Sequence, residues 1–371
     1  MKDFQNFYPQ KNSTFWQNKR VLITGHTGFK GSWLSLWLLN LGAKIIGYSL
    51  QPEELSLFPL LNIESDIENH YDDIRNLENL QKIVLDYKPD IIFHLAAQPL
   101  VRKSYKEPIN TWSTNVLGTI NLLSAANLLE NKCATIFITT DKVYKNKEWE
   151  YGYREEDPLG GFDPYSGSKA ASEIAISSWR SSFCGSSKHQ KENIFIASAR
   201  AGNVIGGGDW SKDRIVPDIV NSLSENKPIS IRNPNSTRPW QHVLEPISGY
   251  LCLAKALYDY PNMGVFDSSF NFGPNLESNR KVLDLAKCSL NFWEGQIKIE
   301  KKSDIHEAGL LNLNIDKAHH KLGWSPTWQF EKTIEKTIVW YKKVINEKCD
   351  PYKACFSDLS DFNQDVLANN L

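Results

Sequence analysis

The stretch RVLITGHTGFKGSWLSLWL, residues 20–38, decides the fold. RVLIT is a short apolar run suited to a strand, and the apolar residues after Gly31 recur as they do in a helix. Between the two, Gly25, Gly28 and Gly31 stand three residues apart. The first can take a tight turn, the second lets backbone N–H groups approach a pyrophosphate, and the third lets helix and strand pack closely. The spacing is GxxGxxG rather than GxGxxG, so the strand before and the helix after carry the reading: a dinucleotide-binding βα turn, with Thr27 and Phe29 counted among its contacts. Lys30 reads equally as a phosphate contact or a solvated cation, and His26 as a loop residue.

Outward from this turn, KIIGYS (44–49), a short strand near 69–73, DIIFHLA (90–96) and ATIFITT (134–140) alternate with helical patterns near 31–41, 77–87 and 111–129. A further helix begins near Tyr165, ahead of a strand at 194–200. The rhythm predicts an α/β fold, a Rossmann-type doubly wound parallel sheet with helices on both faces. Beyond Arg200, segments rich in Gly, Pro and Asn interrupt the rhythm among helices near 215–225, 246–259, 281–293 and 330–346. The expected division is 1–200 mainly for the dinucleotide and 201–350 mainly for a smaller C-terminal substrate-binding subdomain, with segments interleaved into the first. Residues 351–371 read as a weakly constrained tail.

Bulk properties narrow the partners. The chain has 371 residues, 41% of them apolar, and a formal net charge of −1 without long single-sign blocks, so a small molecule is favoured over nucleic acid. The opening MKDFQNFYPQKNSTFW has neither an apolar leader core nor a small-residue cleavage site, and no run is apolar enough to span a bilayer, so a cytoplasmic protein is expected. Six cysteines lie far apart without CxxC spacing, which predicts reduced thiols and no metal site.

A ribose-binding acid is expected about 20 residues past the glycines. GYSLQPEE stands there instead, and the lack of an Arg for a 2′-phosphate tilts the cofactor toward NAD. Asp73 and Ile74, in DDIRNL, either frame the adenine or form a surface turn. In HLAAQ, Ala96 and Ala97 leave room for a dinucleotide or for close packing, and His94 reads as a packed, hydrogen-bonded residue. DPYSGSKAASE places Tyr165 and Lys169 four apart on one helix face. An ammonium beside a phenol favours the phenolate, as does an oxidised nicotinamide, so Tyr165 is expected to take a proton from a sugar hydroxyl as hydride leaves its carbon.

Seven segments in order, TGHTGFKGSWL, HLAAQPLVRKSY, TTDKVY, PYSGSK, RAGNVIGGGDW, DRIVPD and RPWQHVLEP, carry a resemblance from about Arg20 to Trp340. The chain resembles the extended short-chain dehydrogenases/reductases, and among them the sugar-nucleotide 4,6-dehydratases. The resemblance implies NAD as cofactor, CDP-glucose as substrate and a homo-oligomer formed through the helices near 111–129 and 165–180. It also implies a redox-neutral cycle in which carbon 4 is oxidised, water is lost across carbons 5 and 6, and the hydride returns to carbon 6. Thr140 is then expected to hydrogen-bond near the 4-oxygen, and Asp141 to protonate the departing 6-hydroxyl. Lys142 stands where dTDP-glucose dehydratases carry Glu, which makes it either the carbon 5 base or a neighbouring surface cation. Both Asp141 and Lys142 can meet substrate only if the strand has ended before them. Asn203 lies where the family grips the sugar diphosphate, and Arg238 offers a planar fork for phosphate oxygens, with Arg214 as a further candidate. Asn115 either supports the site or serves its own helix, and Trp210 and Trp240 read as core. An epimerase or reductase on the same fold could share the glycines, Tyr165 and Lys169, yet needs no acid at 141. A noncatalytic NAD-sensing protein would need neither Tyr165 nor Lys169.

Overall fold

Seven parallel strands form the central sheet: β1 (Arg20–Thr24), β2 (Lys44–Ser49), β3 (Ile67–Tyr71), β4 (Ile91–His94), β5 (Cys133–Ile138), β6 (Ile194–Ala201) and a strand from much later in the chain, Ser269–Phe272. The computed structural model describes residues 7–9, 14–184, 192–211, 214–300 and 310–369. Of the opening stretch read for a leader, residues 1–6 and 10–13 lie outside those described.

Strand period explains why both faces are covered. Val21, Ile23, Ile91, Phe93, Ala134 and Ile136 enter one hydrophobic core, while the alternate residues Leu22, Ile92, Cys133 and Phe137 enter a second on the opposite face. Across the sheet the strands run in the order Ser269–Phe272, β6, β5, β4, β1, β2, β3. The order reverses between β1 and β4, and a doubly wound sheet opens its ligand crevice at the carboxyl ends of the strands at such a point.

Short pairings fill the second half. β7 (Val204–Ile205) pairs with β10 (Gln241–His242), β8 (Ile229–Ile231) with β13 (Ile297–Ile299), and β9 (Thr237–Pro239) runs antiparallel to β12 (Asn279–Lys281), while Ser269–Phe272, numbered β11, rejoins the main sheet beside β6. A strand from well past residue 200 thus joins the main sheet. The helix expected at 111–129 is made of Pro108–Trp112, a widened π turn at Ser113–Leu117, and Gly118–Ala126.

The end of the chain differs from expectation. Pro351–Asn369 is a helix that buries Ala354, Cys355, Leu359, Phe362 and Val366. Phe362 meets the rings of Trp37 and Trp328 edge-on at 5.9 and 5.0 Å. The physical reason is an apolar stripe at 355, 359, 362 and 366, helical in spacing although thinned by the polar residues between. No helix among the described residues is long and apolar enough to cross a membrane, and all six cysteines are unpaired.

Candidate active site

The glycine loop is built by close backbone approach. Gly25 has φ +76°, and a Cβ on it would lie 2.7 Å from the Ala96 nitrogen, so the ends of β1 and β4 approach this closely because Gly25 has no side chain. A Cβ on Gly31 would fall 2.1 Å from the Gly25 carbonyl oxygen, which fixes the helix Phe29–Asn40 against the turn. Gly28 is exposed and caps that helix without a side chain, and no acid stands in the first turn. Uncapped N–H groups at a helix N-terminus, free of negative charge, suit a pyrophosphate.

Neighbouring residues support the loop. The Thr27 hydroxyl is 2.6 Å from the Ser49 hydroxyl and donates to the Leu50 carbonyl at 3.1 Å, which ties the loop to the end of β2. Phe29 packs against the larger core. Asp73 is bound to its neighbour Arg75 at 2.6 Å, and Ile74 is buried in the smaller core against Gly118. His94 is packed as expected. Thr119 donates to the Asn115 carbonyl, so the His94 Nε2–H donates to Thr119 at 3.2 Å and Nδ1 accepts from Thr24 at 2.7 Å. Burial pushes its pKa down to about 3. His26 is likewise a buried loop residue, paired with Asn69 at 2.9 Å.

β5 stops at Ile138, and Asp141–Val143 forms one tight 3₁₀ turn. The strand has therefore ended before Asp141 and Lys142, which removes the constraint that strand alternation would impose. The Thr140 hydroxyl donates to Asp141 Oδ1 at 2.9 Å, and Lys142 Nζ lies 3.9 Å from the same oxygen. Asp141 is fully buried, and its Oδ2 has no partner among the described residues. Its carboxylate lies directly over Gly202, where a Cβ would sit 1.9 Å from Oδ2. Lys142 is one-third exposed.

The helix Pro164–Phe183 starts where it does because Asp163 accepts the Ser166 N–H at 3.0 Å and Pro164 fills the first turn. Tyr165, Lys169 and Glu173, four apart, share one face. That face meets the β5 end: Lys169 Nζ donates to the Ile138 carbonyl at 3.3 Å, Glu173 accepts from Thr139 at 2.5 Å, and Tyr165 lies beside Thr140. Burial pushes the Tyr165 phenol up to about 12, against the pull of Thr140 and of the Arg214 charge. The expectation of a phenol acidified by its lysine is thus not met by the protein alone. The Lys169 ammonium is itself pushed down to about 8 by burial, opposed by the Glu173 carboxylate, and it spends a donor on Ile138. Lys30, half-buried, is pushed down to about 8 by burial and then by the Arg214 and Lys169 charges. The charges that act on it are those of Arg214, Lys169, Asp141 and Asp209.

Asn203 holds a left-handed backbone at φ +48°, and its side-chain nitrogen is buried without a partner among the described residues. A strained non-glycine with an unspent donor beside Gly202 is the kind of feature that marks a ligand site. Arg214 pairs with Asp209 at 2.7 Å. Arg238 is on β9, opposite Arg280 of β12, and donates to the Thr237 carbonyl at 2.7 Å. Asn115 bonds the Gln98 backbone and Ser168, so it fastens the π turn to the helix of Tyr165. Trp210 and Trp240 pack on or within the larger core.

Residues 22–337 match the family model described as GDP-mannose 4,6 dehydratase. The chain belongs to the GDP-mannose 4,6-dehydratase family. It is 46% identical to the CDP-glucose 4,6-dehydratase of Salmonella typhimurium over 90% of this chain and 93% of that one. In fold it is similar to the Bacillus anthracis dTDP-glucose 4,6-dehydratase solved in complex with NAD, with TM-score 0.73, 22% identity, and coverage of 89% of this chain and 98% of that one. It is also similar to the Thermotoga maritima UDP-glucose 4-epimerase solved with UDP-glucose, with TM-score 0.75, 20% identity, and coverage of 88% and 100%. The structure adds Glu173, Arg200, Thr139, Tyr144 and Gly202 to the neighbourhood expected from sequence. Thr139, Tyr144, Arg200 and Gly202 lie in the segments TTDKVY and RAGNVIGGGDW, and Glu173 stands one turn beyond Lys169.

Proposed function

We propose that this protein is a CDP-glucose 4,6-dehydratase that uses NAD. The observation that carries the reading is the convergence of Tyr165, Lys169, Thr140 and Asp141 on the end of β5, with the Asp141 Oδ2 unspent. Gly25, Thr27, Gly28, Phe29 and Gly31, with Asp73, Ile74, Ala96, Ala97, Tyr165 and Lys169, form the side of the crevice that would hold the cofactor. The glycine cradle and the uncapped helix N-terminus fit it. NAD, when bound, supplies the acceptor and donor of hydride.

Tyr165 takes the proton of the sugar 4-hydroxyl, and the Lys169 ammonium one turn away stabilises the phenolate that has to form first. A ketone at carbon 4 acidifies the proton on carbon 5. Lys142 is the base that removes that proton, and Asp141 protonates the departing 6-hydroxyl. Oδ1 already accepts from Thr140 and faces Lys142, so Oδ2 is the atom on which the acid proton is held. Asn203, Arg214 and Arg238 hold the sugar diphosphate, with 201–350 as the nucleotide-sugar part and 1–200 as the dinucleotide part.

A second copy of the chain covers the face made by Pro108–Trp112, Ser113–Leu117 and the helix of Tyr165, where Ile109 is 84% and Ile174 59% exposed and Trp112 and Leu117 also face outward. The enzyme belongs in the cytoplasm on this reading. The test is product identification with a panel of nucleotide-linked glucoses. A 4-keto-6-deoxy sugar, formed fastest from CDP-glucose, supports the proposal. A stereoisomer of the substrate would make the protein an epimerase, and bound NAD without turnover would make it a sensor.

A further inference from the structure

Two buried charges that touch neither substrate nor cofactor in this account end their bonds on either side of the catalytic turn. Glu173 Oε1 accepts from Thr139, two residues before Asp141, at 2.5 Å. Its Oε2 accepts from Arg200 and from Ser198, each at 2.8 Å. Arg200 in turn donates at 2.8 Å to the hydroxyl of Tyr144, the first residue after the turn, and at 2.9 Å to the Glu155 carbonyl. The Tyr144 hydroxyl then donates to Asn271 at 2.7 Å, and its ring stacks on Tyr153 at 5.1 Å. The side chains of Arg200 and Glu173 are 4% and 1% exposed.

We propose that the Glu173–Arg200 pair is a positioning device for water loss, which grips the Asp141–Lys142 turn at Thr139 and at Tyr144 and holds the acid and the base in register. The proposal rests on the dehydratase reading and names the residues that set its second step. A buried ion pair is a weak source of stability, so its worth lies in where its hydrogen bonds end. Here they end on both flanks of a turn only three residues long, whose backbone is otherwise held by bonds from Thr139 to Ala199 and by a short bridge of Tyr144 with Leu159. Oxidation at carbon 4 depends chiefly on Tyr165 and Lys169, which sit on the helix Pro164–Phe183, with Thr140 at the edge of the turn. Loosening the turn therefore separates the two steps.

Glu173→Gln would strand the buried Arg200 charge, so the test uses Thr139→Val and Tyr144→Phe, which leave the ion pair in place. Each is mixed with NAD and CDP-glucose in a single turnover, with reduced cofactor followed by absorbance and dehydrated ketosugar by mass spectrometry. Loss of one positioning hydrogen bond is expected to slow water loss about tenfold while oxidation changes by less than about threefold, so reduced cofactor accumulates. Thr139→Ser, which keeps the hydroxyl, restores the wild-type ratio. Folded variants in which both steps slow together, or neither slows, overturn the proposal. A wild-type protein that makes no dehydrated ketosugar overturns the dehydratase reading and this inference with it, whereas normal wild-type turnover with unaltered variants overturns the inference alone.

Discussion

Asp141 and Tyr165 face the same crevice but answer to different neighbours. Asp141 is set by contact, because its carboxylate rests on Gly202 with no space for a methyl group. Gly202→Ala is accordingly expected to displace the carboxylate, slowing water loss by at least about tenfold while carbon 4 oxidation persists. Equal loss of both steps would place the damage elsewhere. Tyr165 is set by charge. Burial holds it near 12, so the ammonium of Lys169 matters most when it is protonated, which it is below about pH 8. As pH rises through about 8 that charge is lost, and kcat/KM for oxidation falls on the alkaline side. Lys30, whose pKa also lies near 8, is the competing source of such a limb. The fall is expected to persist in Lys30→Met, and its disappearance there would transfer the titration to Lys30.

At the scale of elements, the βα turn of 20–38 was legible because every feature is local: an apolar strand, three glycines and a helical stripe. The pairing of Tyr165 with Lys169 was legible for the same reason, four residues being one helical turn. Extending the same spacing to Glu173 gives the third member of the face that grips Ile138, Thr139 and Thr140. The partner of Glu173 could not be read this way. Arg200 comes from β6, and the Tyr144 and Asn271 that complete the network come from a turn and from β11. Their meeting is a property of strand order, which a single sequence does not display residue by residue. The same limit hid Gly202, whose neighbour is 61 positions away in a turn after another strand. Burial opposes the acidity expected of Tyr165, and helical spacing reports the nearness of an ammonium but not that depth of burial.

Over the whole molecule, the last helix packs its apolar stripe into the larger core. Phe362 fills the space between Trp37, on the helix that follows the glycine loop, and Trp328 near the end of the second half. Phe362→Ala is expected to destabilise the fold by about 3 kcal/mol or more, through lost burial and the cavity left behind. Urea unfolding reads this directly, and a loss under about 1 kcal/mol would mean that the helix is not integral to the core. On the proposed reading, the sheet, the end of β5 and the buried network together make one redox-neutral site, in which the hydride removed from carbon 4 comes back to the same sugar. The decisive measurement supplies CDP-glucose deuterated at carbon 4 with unlabelled NAD and locates the label in the product. The account predicts a 4-keto-6-deoxy product carrying the deuterium on carbon 6. A product with deuterium still on carbon 4, or with none on carbon 6, would contradict it.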